Sequence, residues 1–176
     1  MADFIRTYTK KHFYPTEPRI DDICIEDIAH ALSLICRANG HFPKFYSVAQ
    51  HSISCAREAL ARGLSDRIVM ACLIHDGSES YLSDITRPVK KDLEAYKKYE
   101  KKLQSAIYEK YIGILTSEEL DTVKLIDDTM LFYEFYHFMG EKICAEYPKE
   151  TNPSYDFEPF EKVEKEFLDL FYSLKQ

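Results

Sequence analysis

Tryptophan is absent from the sequence, and glycine and proline are sparse, with five and seven residues in a chain of 176. β-sandwiches and barrels need frequent turn residues, so this scarcity favours a helical fold. The five cysteines are an odd number, are scattered along the chain and form no Cys-x-x-Cys pair. This argues against a disulfide framework and favours a reducing, cytoplasmic environment.

Long apolar runs and an excess of positive charge are also missing. No hydrophobic stretch reaches transmembrane length, and the N-terminal Met-Ala-Asp-Phe-Ile-Arg lacks the apolar core of a signal peptide. The formal charge of −7 argues against a nucleic-acid polymer as partner. A bound metal ion could still reverse the field locally for a small anion. We therefore expect a cytoplasmic protein without membrane or nucleic-acid contacts.

Hydrophobic periodicity predicts one all-α domain over residues 1–176, with about six helices. The expected helices cover residues 25–37, 46–61, 66–76, 92–111 and 116–139, and the last begins near residue 159. Alternation within residues 4–14 weakly indicates a short N-terminal hairpin. The last helix carries a Phe-rich stripe, typical either of a core face or of a dimer surface. We expect a homo-oligomer, a dimer or larger.

The most informative stretch is the apolar run 68–74, which leads directly into His75 and Asp76. Polar groups at the edge of a core must be paired, hydrogen-bonded or bound to a metal, because unpaired burial costs several kcal/mol. His51 and Asp127 also interrupt apolar helical stripes. Each residue alone is more simply a hydrogen-bonded core histidine or a paired carboxylate. The order His…His-Asp…Asp is more specific, and both residue types bind Zn, Mn, Fe or Co.

In these segments the chain resembles the HD superfamily of metal-dependent phosphohydrolases. The resemblance extends to the small YfbR-like 5′-deoxynucleotidases and the related phage deoxyadenosine-triphosphate triphosphohydrolases. It implies an HD-type helical bundle and runs from about Ile25 to Glu134. The segments that carry it are Ile25–Ser33, Phe45–Ser52, His75–Lys90 and Val123–Asp127.

The resemblance implies one divalent transition metal, namely Zn, Mn, Co, Fe or Ni. The metal ligands that it implies are His51, His75, Asp76 and Asp127. It also implies that Glu79 and Asp84 assist catalysis and that Arg37 binds phosphate. The chain departs from the pattern at Gly77, where relatives usually have alanine, and the glycine is expected to loosen the helix end. It departs again after Arg37, where Ala38 replaces a frequent aromatic residue.

Further candidates follow from position in the sequence. Lys90 could neutralise phosphate beside Arg37. His30 lies on the same helical face as Arg37, and His41 follows a glycine in a loop, so both are candidate substrate contacts. A partly exposed histidine without a site role is an equally good interpretation of either. Glu134 lies two turns from Asp127 and is a candidate hydrogen-bond partner for a ligand.

Together with these residues, the resemblance implies a metal-dependent phosphohydrolase that cleaves the 5′-phosphoester of a deoxynucleotide monophosphate. The substrate would be a small nucleotide, and metal-bound water would supply the nucleophile. A first alternative is a triphosphohydrolase that releases tripolyphosphate from a dNTP. A second is a binding module without catalysis. A third is a cyclic-nucleotide phosphodiesterase, but the remaining histidines do not obviously supply a second metal.

Overall fold

The computed structural model describes residues 3–175 and is all-α, with a small N-terminal hairpin. The hairpin pairs β1 (Ile5–Arg6) with β2 (His12–Phe13) in antiparallel register. The helices are α1 (Ile25–Leu34), α2 (Val48–Ala61), α3 (Asp66–Leu73), α4 (Glu79–Leu82), α5 (Arg87–Lys90), α6 (Glu94–Tyr111), α7 (Ser117–Met139) and α8 (Phe160–Ser173). The expected fold class and hairpin are confirmed, with eight helices among the described residues where about six were predicted.

The two additional helices are the four-residue α4 and α5, in a segment whose short length gave no periodicity to read. Two predicted helices also end early. The first stops at Leu34, because Ile35 is extended and Cys36 forms an antiparallel bridge with Ser47. The third stops at Leu73. His75 and Asp76 therefore lie in the turn between α3 and α4, not on a continuous helix with Glu79.

Capping groups define where the two helices that carry His51 and Asp127 begin. At the start of α2, Ser47 and Gln50 form a capping box, and Thr116 and Glu119 form another at the start of α7. Each box satisfies two backbone N–H groups that a helix start leaves without partners. The start of α7 agrees with the sequence-based expectation.

The core lies where α1, α2, α3, α7 and α8 pack together. Every residue of α3 from Ile68 to Leu73 is buried, with Val69, Ala71 and Leu73 at zero exposure. The Phe-rich stripe of α8 packs against α1 and buries Phe167 and Phe171 almost completely. Of the two interpretations of that stripe, the core face is the one that this chain adopts.

No helix among residues 3–175 combines the length and the hydropathy that crossing a lipid bilayer requires.

Candidate metal centre

Four predicted ligands from three parts of the fold converge on one point. Nε2 of His51, on α2, lies 3.1 Å from Oδ1 of Asp127, on α7, and 4.0 Å from Oδ2 of Asp76. Nε2 of His75 lies 3.4 Å from the same Asp76 oxygen and 3.7 Å from the same Asp127 oxygen. Ligands about 2.0–2.2 Å from one ion are separated from each other by roughly 3 to 4 Å. The spacing of these four atoms is therefore suited to a single metal ion.

In both histidines the hydrogen bond made by Nδ1 fixes the tautomer, and it leaves Nε2 as the atom that faces the convergence point. His51 Nδ1 lies 2.6 Å from Glu134 Oε1, and His75 Nδ1 lies 2.8 Å from the Cys72 carbonyl oxygen. A carbonyl and an ionised carboxylate can only accept, so Nδ1 carries the hydrogen in both rings. Metal binding requires the neutral imidazole, and in that form Nε2 presents a lone pair to the convergence point. Without a metal, burial opposes protonation of both rings, but the carboxylates around them raise the pKa of His51 and of His75.

One of these nitrogens is a buried polar atom without a partner. The His75 side chain is 7% exposed, and its Nε2 has no hydrogen-bond partner within residues 3–175. A buried polar atom of this kind costs about 1–3 kcal/mol if nothing binds it. The donor set and this orphaned nitrogen therefore fit a metal ion.

Glu134 and Arg37 form a buried ion pair behind His51. Glu134 Oε2 accepts from Arg37 Nη2 at 3.3 Å, and Arg37 Nη1 donates to Asp76 across 3.5 Å. Burial opposes ionisation of Glu134, but the His51 imidazole and the Arg37 guanidinium beside it outweigh this effect and lower its pKa. Burial likewise opposes ionisation of Asp127, yet the adjacent imidazoles of His51 and His75 hold its pKa well below the ordinary value. Both carboxylates are thus anionic near neutral pH.

An unusual turn brings Arg37 to this place. Its backbone N–H donates to the Tyr46 carbonyl oxygen at 2.9 Å, which closes the loop between α1 and α2. Ala38, Asn39 and Gly40 follow with φ of 52°, 51° and 76°, in the left-handed region that L-residues other than glycine rarely adopt. The backbone thus reverses immediately after Arg37, whose side chain is only 11% exposed.

A cavity of about 460 Å³ opens over the convergence point. Its polar lining combines carboxylates with cations, namely Asp76, Glu79, Asp84, Asp127, Arg37, Arg87 and Lys90. An apolar side is formed by residues that include Leu131, Phe135 and Ile143. The cavity therefore offers cationic groups and an apolar surface next to the candidate ligands.

The two predicted catalytic acids both line this cavity. Glu79 is 5% exposed, and its Oε2 has no hydrogen-bond partner among the described residues. Burial and the negative charges of Asp76 and Asp84 raise the pKa of Glu79 well above its ordinary value. Burial also raises the pKa of Asp84. Lys90 lies 3.7 Å from Glu79 and 2.6 Å from Glu100, which holds its ammonium at the cavity wall.

His30 and His41 do not join the other predicted site residues. His30 stacks on Tyr8 at a ring separation of 3.8 Å, and its Nδ1 lies 2.9 Å from Glu164 Oε2 on α8. His41 is exposed after the left-handed turn and does not line the cavity. The early end of α1 explains the difference for His30, because the backbone leaves the helix before Arg37.

Cys55 is a further donor next to the histidines. Its thiol lies 3.5 Å from His51 Nε2, and ligand atoms of His51, Cys55 and His75 all lie within 4.8 Å of one another. These three residues could hold a metal ion. The sequence does not mark Cys55 as a candidate ligand, because it lies in an apolar helical stripe and resembles a small core residue.

Sequence comparison finds relatives but no assigned activity. No family model matches the chain. Over 108 residues it is 44% identical to the uncharacterized protein YfdR of Escherichia coli K12, covering 61% of this chain and 58% of YfdR. Over 98 residues it is 38% identical to an uncharacterized protein of Rhodobacter capsulatus, covering 52% of this chain and 50% of that protein. The match thus spans only about half the length of these curated relatives.

Proposed function

We propose that this chain is a metal-dependent phosphohydrolase of the HD superfamily that converts a deoxynucleoside 5′-monophosphate into deoxynucleoside and phosphate. The observation that carries the proposal is the convergence of two imidazole nitrogens and two carboxylates beneath a cavity with cationic walls. The buried Glu79 beside the ligands has a raised pKa, which suits a general acid in hydrolysis and supports an enzyme over a binding module.

We assign the metal ligands to His51, His75, Asp76 and Asp127 rather than to the set that includes Cys55. Burial raises the pKa of the Cys55 thiol to about 11, so forming the thiolate that binds metals costs more there than using a carboxylate that is already ionised, such as Asp127. The carboxylates of Asp76 and Asp127 face the cavity, with 19% and 22% exposure. A divalent transition metal bound there would lower the pKa of a bound water and polarise a phosphoryl oxygen.

The remaining residues supply charge and protons to the reaction. The P–O bond to the ribose breaks as water adds to phosphorus, and the departing 5′-oxygen needs a proton. Glu79 and Asp84 are both candidates for that donor, because their raised pKa values keep the protonated form at higher pH. Arg37 and Lys90 offset the charge of the phosphate oxygens.

Charge balance favours a monophosphate. The cavity presents four carboxyl groups against three cationic side chains, and one of those carboxyl groups, Glu79 or Asp84, is protonated as the donor, so one divalent metal leaves an excess of two positive charges. That excess suits the dianion of a monophosphate better than a triphosphate, which carries roughly twice the charge.

The second candidate is a dNTP triphosphohydrolase, and one residue favours it. Arg87 lies at the rim of the cavity, is 60% exposed, and contacts Asp127 at 3.3 Å and Asp128 at 3.1 Å. A guanidinium at this rim could reach phosphates beyond the first. Arg87→Ala would lower dNTP turnover selectively if this second candidate were correct.

The deciding experiment separates products rather than measuring phosphate alone. Purified protein is incubated with Co²⁺ or Mn²⁺ and each dNMP and dNTP, and nucleoside, phosphate, pyrophosphate and tripolyphosphate are resolved. Phosphate from monophosphates alone supports the nucleotidase, and tripolyphosphate from a dNTP supports the triphosphohydrolase. Tight metal binding without any product would contradict both hydrolase hypotheses and support a binding module without catalysis.

The setting of this activity rests on the sequence alone. We propose a cytoplasmic enzyme that acts as a homo-oligomer on a small nucleotide. Analytical ultracentrifugation of the purified chain tests the oligomeric state directly.

A further inference from the structure

The turn that carries His75 and Asp76 is held at both ends by one amide side chain. Gln104, on α6, donates from Nε2 to the Ile74 carbonyl oxygen at 2.8 Å. Its Oε1 accepts from the backbone N–H of Ser78 at 3.0 Å. Within residues 3–175 this is the one hydrogen bond that the Ser78 N–H makes, and Ser78 is 2% exposed.

The turn also packs closely against α6 at Gly77. A Cβ on Gly77 would lie 2.9 Å from the Ile74 carbonyl oxygen and 3.2 Å from Cδ1 of Ile107. Ile107 stands three residues after Gln104, on a neighbouring part of the α6 surface. Gly77 therefore does not loosen a helix end, as expected from the sequence, but allows a tight turn to press against α6.

This side of the turn borders a groove that is partly open to solvent. A cavity of about 560 Å³ lies there, lined by residues that include His75, Asp76, Ser78 and Gln104. Because open space borders the turn, directed hydrogen bonds are needed to hold its backbone in one conformation. Gln104 supplies two of them.

We propose that Gln104 is a positioning residue for the metal centre, acting on His75 and Asp76 through the backbone of residues 74–78. The inference rests on the metal site of the proposed function, but not on its substrate. Loss of the amide would let the turn relax into the adjacent cavity and move both ligands away from His51 and Asp127. Ligand positions must be held within about 0.5 Å for full affinity.

The test compares Gln104→Met with a control, Lys98→Met, which introduces the same residue at an exposed position of the same helix. Co²⁺ affinity is measured by competition with a chelator, and the melting temperature is recorded with and without Co²⁺. We expect about tenfold weaker Co²⁺ binding for Gln104→Met, equivalent to about 1.4 kcal/mol, and wild-type affinity for Lys98→Met. If Gln104→Met does not fold well enough to titrate, Gln104→Asn, which is one methylene shorter, is titrated with the same expectation.

A purely structural role gives a different result. It would lower the melting temperature equally with and without Co²⁺, whereas a positioning role reduces the gain that Co²⁺ produces. Unchanged Co²⁺ affinity in the Gln104 variants overturns the inference and leaves the proposed function standing. If the wild type binds Co²⁺ normally but turns over no nucleotide, the proposed function is overturned and the inference about Gln104 stands. A wild type that binds neither Co²⁺ nor Mn²⁺ overturns both.

Discussion

Glu134 accepts a hydrogen bond from His51 across 2.6 Å, although 83 residues separate the two in the chain. The carboxylate also binds Arg37, so one buried anion holds a candidate metal ligand and a candidate phosphate contact together. Carboxylate–histidine pairs of this kind orient the ring and increase its basicity toward a metal. The pair links the metal centre to the substrate cavity.

Replacing Glu134 with glutamine separates charge from shape. Glu134→Gln keeps an acceptor of the same size for His51 but removes the negative charge, so we expect about tenfold weaker Co²⁺ binding. Glu134→Ala removes the buried partner of Arg37 Nη2 and of His51 Nδ1 and should lower the free energy of unfolding by about 3–5 kcal/mol. Chelator competition and urea denaturation measure the two effects. Wild-type affinity in Glu134→Gln would show that the charge has no role in metal binding.

Neighbouring aspartates offer a matched test of the ligand assignment. Asp127 faces the two imidazoles, whereas Asp128 pairs with Lys124 and Arg87. Asp127→Asn should abolish most of the increase in melting temperature that Co²⁺ produces, because a metal that binds only the folded state stabilises it. Asp128→Asn should retain that increase. Equal responses of the two variants would remove Asp127 from the ligand set.

The proton donor can be identified from the pH dependence of turnover. The pKa of Glu79 is raised, so its protonated form persists above the ordinary range and is lost as pH rises through the raised value. If Glu79 protonates the leaving oxygen, kcat falls on that alkaline side. Glu79→Gln should lower kcat about 10²-fold or more, remove this decline and leave Co²⁺ affinity intact. If Asp84→Asn removes the decline instead, the acid is Asp84.

Glu58 provides a pH-dependent contribution to stability far from the cavity. It is fully buried and accepts from Thr151 and from the backbone N–H of Glu150. Burial opposes its ionisation, but these bonds and Arg62 lower its pKa. A group with a lowered folded pKa stabilises above its unfolded value, about 4.3, and loses that contribution as pH falls through the folded value.

Glu58→Gln should therefore be less stable than wild type near pH 7, and the difference should shrink as pH falls toward about 3. Urea unfolding midpoints over this range measure it, with Glu150→Gln, an exposed position next to Thr151, as the control. A difference that stays constant with pH would exclude ionisation of Glu58 as its cause.

Adding one methyl group to the metal-binding turn tests how tightly it packs. Gly77→Ala places a Cβ 2.9 Å from the Ile74 carbonyl oxygen, so the turn must shift. We expect a loss of about 1–3 kcal/mol in unfolding free energy, together with weaker Co²⁺ binding. Gly63→Ala is no control for this effect, because its φ of 71° adds backbone strain of its own. Ser105→Ala, at an exposed position on α6, tests for non-specific effects instead.

The sequence determined the helical class and the residues with ligand chemistry. Glycine scarcity and apolar periodicity pointed to helices, and His51 and Asp127 stood out because each interrupts an apolar stripe. The helical class and the polar residues within apolar stripes depend on the pattern along a single helix, so they can be predicted without knowing how the helices pack.

The tertiary structure alone decided which helix ends and side chains meet. Helix α1 ends before Arg37, where Cys36 pairs with Ser47, so His30 and Arg37 do not share a helical face. Helix α3 ends before His75, where Gln104 binds the Ile74 carbonyl oxygen, so His75 lies in the turn that follows. Gln104 carries no sequence signal, since a glutamine on an amphipathic helix is ordinary. Its role depends on α6 crossing the turn at one place, which is set by packing between distant segments and not by any local pattern.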